Sequence, residues 1–318
     1  MPAGVLPPSC YSFLVKVSRL FPAGAGLLIA GAALYHFYPP FRLGAWALAG
    51  RSPHCPFRNA IWSAENARRQ IAVKDRILAA SREIAVDPAG YHQFETPYGR
   101  FWMPEGSHYV LPFNLAEQER KIYGTGATAV RPGDVVLDCG ANVGVYTRDA
   151  LKSGARLVVA IEPAPENLEC LRRNFAPEAA AGRVVIYPKG VWDKDDTLTL
   201  YVDPANSAAD SFLIKREGAK AVHKVPLTTI DKLAAELKLD RVDLIKMDIE
   251  GAEPNALRGA REVIRKYKPR LTISAYHAPD HPAAIPAVVR ETRPDYRMEC
   301  GPCAEAEKLI RPDILYFY

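Results

Sequence analysis

Apolar and polar positions divide the chain into three stretches of different rhythm. Residues 21–38 (FPAGAGLLIAGAALYHFY) run without a charged side chain, close to the shortest length that crosses a bilayer. Between 59 and 84, Ile61, Ile71, Ile77, Leu78 and Ile84 recur at helical spacing among Arg, Lys and Glu, and Asp87-Pro88 with Gly90 ends that pattern. Residues 91–101 (YHQFETPYGRF) alternate about a Pro-Tyr-Gly turn, which predicts a hairpin, and a short helix over 114–123 follows. From 131 onward, short apolar runs alternate with amphipathic stretches: strands at 135–138, 157–161, 184–187, 242–247 and 271–275, helices at 143–153, 164–175, 229–237 and 254–267. That alternation predicts a parallel sheet with helices on both faces. Two passages break it. Residues 197–201 (TLTLY) and 223–227 flank a polar loop at 206–211 and read as an inserted antiparallel pair. After a helix at 282–292, strands at 295–299 and 314–318 are joined by a helix-poor loop and are expected to pair antiparallel, an ending unusual for a dinucleotide dehydrogenase.

Composition adds little to the class and more to the organisation. A chain of 318 residues with 48% hydrophobic and 24% charged residues is ordinary for a globular protein of one large or two modest domains. The net charge of +5 is unevenly spread: through Arg76 there are nine Lys and Arg against Glu65 and Asp75, so the remainder is slightly acidic. A basic excess confined to the N-terminal segment argues against a nucleic-acid partner for the domain that follows. Lys16 and Arg19 precede the apolar run at 21–38, Pro39-Pro40 and Arg42 close it, and aromatics lie at its end, so a membrane anchor with its C-terminal side towards the cytoplasm is expected. A late start and the want of a small-residue cleavage site separate it from a signal peptide, and a buried helix covering the domain is the alternative. Residues 42–57 are expected to be a linker or membrane-surface segment. The six cysteines (Cys10, Cys55, Cys139, Cys170, Cys300, Cys303) are scattered and read as no disulfide framework; Cys139 and Cys170 read as packed free thiols, and a reducing compartment is expected.

Candidate chemistry begins at 135–146 (VVLDCGANVGVY), an apolar run ending at Asp138 and entering a glycine turn. Gly140 and Gly144 are the residues expected to let a ligand approach the backbone. The next strand, 157–162 (LVVAIE), ends in Glu162, placed to take both hydroxyls of a ribose. Loop and acid together predict the first half of a nucleoside-binding α/β domain. Asp248 and Glu250, preceded by Lys246, follow the fourth strand, where the ligand crevice of an open α/β sheet lies. Glu253 is assigned to the start of the next helix, where the dipole favours an acid. His277, after the fifth strand, reads equally as a reactive group or a hydrogen-bonded structural residue. Cys300-Gly-Pro-Cys303 has dithiol spacing but lies between two terminal strands instead of opening a helix. His277, His281, Cys300 and Cys303 have spacing that permits zinc, yet His277 has a competing role and Pro279 constrains the loop. Neither reading is adopted, and no metal is assigned.

The stretches 138–147 (DCGANVGVYT), 161–174 (IEPAPENLECLRRN), 226–231 (PLTTID), 243–253 (DLIKMDIEGAE) and 275–281 (AYHAPDH) together resemble the FkbM-type family of S-adenosylmethionine-dependent methyltransferases. The resemblance covers most of 131–281, and the KxDxEGAE stretch is its most diagnostic part. It implies the class I methyltransferase fold, a Rossmann-like α/β domain with a seven-stranded, mostly parallel sheet whose last strand is antiparallel. It also implies S-adenosylmethionine as cofactor, with Asp138, Gly140, Asn142 and Gly144 around the methionine part, Glu162 on the ribose and Val191 near the adenine. Asp248, Glu250 and His277 become candidate bases or orienting groups for a hydroxyl on a glycan, lipid-linked sugar or secondary metabolite. The family usually carries a different loop at 300–303. The expected organisation is an N-terminal apolar segment with linker (1–58), a helix and hairpin extension (59–130) and the methyltransferase domain (131–318). A nicotinamide-dependent oxidoreductase is the first alternative; the Asn142 loop in place of a third-glycine fingerprint, the acids after strand four and the terminal strand pair weigh against it. A membrane-anchored scaffold that binds cofactor without turnover is the second, and would not need Asp248 and Glu250.

Overall fold

In the computed structural model, which describes residues 26, 28–202, 206, 210–214 and 220–318, a helix over 28–37 leads into α1 (Pro39–Leu48), opened by two prolines where no backbone N–H is needed. Of the expected membrane span, residues 21–25 and 27 lie outside the described residues; among the described ones, no helix is long and apolar enough to cross a membrane. Residues 42–57 are not a linker. Leu43 of α1 is buried with Cys55, Ala60, Cys303 and Ile310, and Arg42 forks onto Glu305 with both distances 2.9 Å. Cys55 and Cys303 form a disulfide, with Cα atoms 6.5 Å apart across 248 residues of sequence. This corrects the reading of the cysteines for that pair, whose proximity is a product of the tertiary fold. Cys139 and Cys170 are buried free thiols, as expected.

After α2 (Phe57–Ile61), α3 (Ser63–Ala79) ends earlier than its apolar spacing suggested: Ser81 donates its hydroxyl to the Ile77 carbonyl (2.7 Å) and the chain turns. Ile84 belongs instead to β1 (Arg82–Val86), which pairs with β2 (His92–Thr96) and, through it, β3 (Gly99–Met103). Cross-strand pairing overrides the local helical pattern here. The expected hairpin is β2–β3, and α4 (Val110–Glu119) follows, starting four residues before the expected helix. Ile77, Phe101, Leu111 and Leu115 bury this extension against Val143 and Val145 of the main domain.

The alternating region then builds β4 (Val135–Cys139), α5 (Val145–Lys152), β5 (Leu157–Ile161), α6 (Pro165–Asn174) and β6 (Val184–Tyr187). The inserted unit is a small sheet in which β9 (Lys220–Thr228) lies between β7 (Gly190–Val191) and β8 (Asp196–Val202), with β8 and β9 antiparallel as expected. After α7 (Ile230–Glu236) and β10 (Leu244–Met247), the single helix expected over 254–267 is two, α8 (Glu253–Arg258) and α9 (Arg261–Tyr267). The break falls at Gly259, where a Cβ would stand 2.0 Å from the Trp192 carbonyl oxygen. Next come β11 (Arg270–Ser274), α10 (His281–Thr292), β12 (Met298–Cys300), a hairpin of β13 (Cys303–Ala306) and β14 (Leu309–Pro312), and β15 (Ile314–Phe317).

The central sheet runs β6–β5–β4–β10–β11–β15–β12, parallel throughout except for β15, which is antiparallel to both neighbours. This is the Rossmann-like, seven-stranded class I methyltransferase arrangement that the resemblance implied. Strands covered on both faces need apolar residues in succession. Leu137, Val159, Ile245, Ile273 and Leu315 accordingly meet α7–α10, while Ala160 packs against Leu168, Leu171 and Phe175 of the α6 side.

The loop after β4 crosses the loop after β10 at Gly140, whose φ is +77° and whose Cβ, were there one, would lie 1.9 Å from the Asp248 carbonyl oxygen. Gly140→Ala should therefore cost roughly 2–5 kcal/mol, left-handed backbone strain and overpacking together. Gly133→Ala, at φ +87° with nothing within 4 Å, should cost only about 1–2 kcal/mol. Urea unfolding of the two variants measures the difference, and equal losses would remove the crossing as the cause.

Candidate active site

Lys246 and Asp138 are register partners on β10 and β4, and both are buried. The Lys246 Nζ lies 3.2 Å from Asp138 Oδ1 and donates to the Gly140 carbonyl (2.8 Å), while Asp138 Oδ2 accepts from the Thr147 hydroxyl (2.7 Å). Burial pushes the Asp138 carboxyl up, and Lys246 and Thr147 oppose that push. Asp138 thus anchors the loop from beneath and does not line the cavity above it. Gly144 also lies off the cavity: at φ +91°, a Cβ there would stand 2.1 Å from the Phe175 ring, so glycine serves the packing of α5 on α6.

A cavity of about 400 Å³ opens over the C-terminal ends of the parallel strands. Gly140, Asn142, Glu162 and Val191 line it from β4, β5 and β7, as the sequence reading placed them. Asp248 and Glu250 line it from the loop after β10, Tyr276 from the loop after β11, and Phe113 and Glu117 from α4. Glu162 accepts the Asn142 N–H on Oε2 and the Ala164 N–H on Oε1, both at 2.9 Å. Burial outweighs those bonds and pushes its carboxyl up to about 7. Asn142 (φ +50°) and Glu250 (φ +53°) both hold left-handed backbone.

Asp248 receives the Tyr123 hydroxyl (2.8 Å) and the Tyr276 hydroxyl (3.3 Å). Burial would raise its carboxyl, but Lys246 and His277 outweigh it and hold Asp248 below the usual carboxylate range. Glu117 is the opposite case: loss of hydration first, and the charge on Asp248 second, push it well above that range. One wall of the cavity therefore carries two acids whose surroundings push them in opposite directions. His277 stands behind them, its side chain 2% exposed, with Nε2 3.4 Å from Asp248 Oδ1 and from Glu250 Oε1 and Nδ1 2.8 Å from Glu253 Oε1. Its burial lowers its pKa, but Glu253 and Glu250 override that and leave it well above the ordinary histidine value, which makes it a poor proton acceptor.

Glu253 opens α8 as expected, yet its buried carboxylate also accepts the N–H groups of Ile249 (2.9 Å) and Gly251 (3.2 Å). The dipole reading covers only part of its role. Glu117, Tyr123 and Tyr276 escaped the sequence reading. Glu117 and Tyr123 lie more than 120 residues before Asp248 on an unremarkable amphipathic stretch, whereas Tyr276 adjoins His277 and was open to suspicion. The dithiol and zinc readings of Cys300 and Cys303 lapse with Cys303 committed to Cys55.

The sequence profile of the methyltransferase FkbM domain matches residues 138–297, half of the chain. The chain belongs to the FkbM methyltransferase family. Among curated relatives, methyltransferase sdnD of Sordaria araneosa is 31% identical over 157 residues, covering 40% of this chain and 60% of that protein. The 2-O-methyltransferase NoeI of Sinorhizobium fredii is 26% identical over 154 residues, covering 43% and 61%. The chain thus spans about three fifths of the length of these two. The crystal structure of methyltransferase FkbM from Methylobacillus flagellatus is 21% identical and covers 81% of this chain and 60% of that one, with a TM-score of 0.47. Membership of the FkbM family leaves the nicotinamide oxidoreductase alternative without support.

Glu162 gives a pH signature. Folded, its carboxyl keeps its proton up to about pH 7; unfolded, it loses it near 4.5. The folded state then binds more protons between these values, so stability falls as pH rises through the window, by roughly 3 kcal/mol for this group. Urea unfolding at pH 5 and pH 8 should show the loss, with a smaller loss in Glu162→Gln. An undiminished loss in that variant would assign the effect to another group.

Proposed function

We propose that this FkbM-family chain uses S-adenosylmethionine to methylate a hydroxyl oxygen of a small-molecule or glycan acceptor. One observation carries the reading: the same cavity is lined by the buried Glu162 carboxylate and by the Asp248–Glu250 pair. The residues suit the cofactor. Glu162 already accepts the Asn142 and Ala164 N–H groups and a bond from the Asn167 side chain, and the carboxyl keeps one lone-pair site for a ribose hydroxyl. Gly140 and Asn142 present backbone to the methionine part, and the buried Val191 offers an apolar wall to the adenine. Among the described residues, five acids line the cavity (Glu117, Glu162, Asp210, Asp248, Glu250) against the single Lys246, which is engaged by Asp138, and Asp248, held below the usual carboxylate range, favours a sulfonium cation.

The bound cofactor supplies an electrophilic methyl group. The chain aligns an acceptor oxygen with that methyl, a contribution that can reach several kcal/mol without any further chemistry. Asp248, ionised and clamped by Tyr123 and Tyr276, orients the hydroxyl, and Asp248 or Glu250 takes its proton. Glu117, neutral, can donate to an acceptor oxygen. His277 supports the two carboxylates from behind. NoeI carries the name 2-O-methyltransferase, which supports a hydroxyl acceptor here as well.

Calorimetric titration of the full chain with S-adenosylhomocysteine, and separately with NADH, tests the reading. Binding of S-adenosylhomocysteine alone is expected, on the order of micromolar, with Glu162→Ala weakening it by at least about tenfold, ~1.4 kcal/mol. Binding of NADH alone would overturn it, as would full affinity in Glu162→Ala for the assigned ribose contact.

A further inference from the structure

Behind the cavity carboxylates, three side chains from distant parts of the chain meet in a space closed to water. Glu253 comes from the first residue of α8; His277 and His281 come from the loop after β11 and the start of α10. Their side chains are 0%, 2% and 4% exposed. Their potential ligand atoms all lie within 4.8 Å of one another. Glu253 Oε1 is 2.8 Å from His277 Nδ1, and Oε2 is 3.4 Å from His281 Nδ1.

His281 Nδ1 makes no hydrogen bond among the described residues although it faces Glu253 Oε2 at 3.4 Å. A buried ring nitrogen left without a partner beside a buried carboxylate is a setting in which a cation between the two satisfies both. The second nitrogen of His277 stands 3.4 Å from Asp248 Oδ1 and from Glu250 Oε1 without a formed hydrogen bond, which puts within reach the carboxylates that ordinarily back a metal-bound imidazole. Ligand atoms about 2.0–2.1 Å from one zinc ion stand about 3.4 Å apart at the tetrahedral angle, a spacing close to that between Glu253 and His281.

We infer that Glu253, His277 and His281 form a binding site for a first-row transition dication, with zinc the best match to two imidazoles and a carboxylate. Calcium and magnesium, which take oxygen ligands, suit this donor set poorly. The ion takes the place of the proton between Glu253 and His277, ties the loop after β10 to the loop after β11, and fixes His277 behind Asp248 and Glu250. This set keeps His277 and His281 from the group that spacing alone had suggested and has Glu253 in place of the cysteines, of which the disulfide removes Cys303.

The test uses the full chain, stripped with a chelator and titrated with Co²⁺ as a spectroscopic probe and with Zn²⁺ by calorimetry. One Co²⁺ per chain should bind with the visible absorption of a low-coordinate nitrogen–oxygen site, and one Zn²⁺ should displace it. His281→Gln should lose at least about 100-fold in affinity, whereas His92→Gln, outside the cluster, should bind as the wild type does. Failure of the stripped wild type to take up either ion at tenfold molar excess would overturn the site, and so would undiminished binding in both His281→Gln and Glu253→Gln. Should Glu253→Gln fail to fold, the wild-type titration and His281→Gln decide. The readout is metal and not methyl transfer, so its failure leaves the proposed reaction standing, and failure of cofactor binding leaves the metal site standing.

Discussion

Lys246 and Asp138 occupy one rung of neighbouring strands, almost wholly removed from water, and the geometry of the site follows from how their charges are satisfied. Each charge alone would cost several kcal/mol to bury, so neither side chain can leave the other, and removal of one partner from such a pair typically costs about 3–5 kcal/mol. The Lys246 ammonium has a further duty at the Gly140 carbonyl and lies over the rings of Tyr123 and Tyr146. One cation thereby holds the first strand's loop, the fourth strand and the tyrosine that clamps Asp248. It is also the main reason Asp248 stays ionised where burial would neutralise it.

Around that pair the site is a balance of acids in unlike surroundings. Asp248 is held below the usual carboxylate range, Glu117 well above it and Glu162 at about 7, while Glu253 is enclosed completely and accepts backbone N–H groups beside the His277 imidazole. Environments that push similar groups apart are what acid and base assignments are built from. Among the described residues, Lys246 is the one cationic side chain in the cavity wall, and Asp138 already engages it.

The N-terminal extension is part of this arrangement and not an appendage to it. It supplies Phe113 and Glu117 through α4, and α4 is held in turn by α3, where Gln70 donates to the Phe113 carbonyl (3.2 Å) and accepts from Arg120 (2.7 Å). Further upstream, the Cys55–Cys303 bridge and the Arg42–Glu305 pair join α1 and its following turn to the β13–β14 hairpin. Cavity wall and N-terminal helices are therefore mechanically continuous.

What could be read from the sequence alone was whatever one strand or loop writes locally. The five parallel strands were legible to within a residue or two, because burial on both faces demands unbroken apolar runs, and so were the tail pair, the inserted antiparallel pair, and Gly140, Asn142, Glu162, Asp248 and Glu250 as cavity residues. What only the tertiary structure decided are properties of contact between distant residues. Ile84 left the helix because a partner strand was available, α8 and α9 separated because the Trp192 backbone passes Gly259, and Cys55 found Cys303 across 248 positions. Asp138 took Lys246 and Thr147 as partners, Gly144 met the Phe175 ring, and Glu253 joined its place at the helix start to the centre of a histidine cluster. Periodicity records which face of an element is buried; it holds no record of what is buried against it, and for these residues the neighbour sets the role.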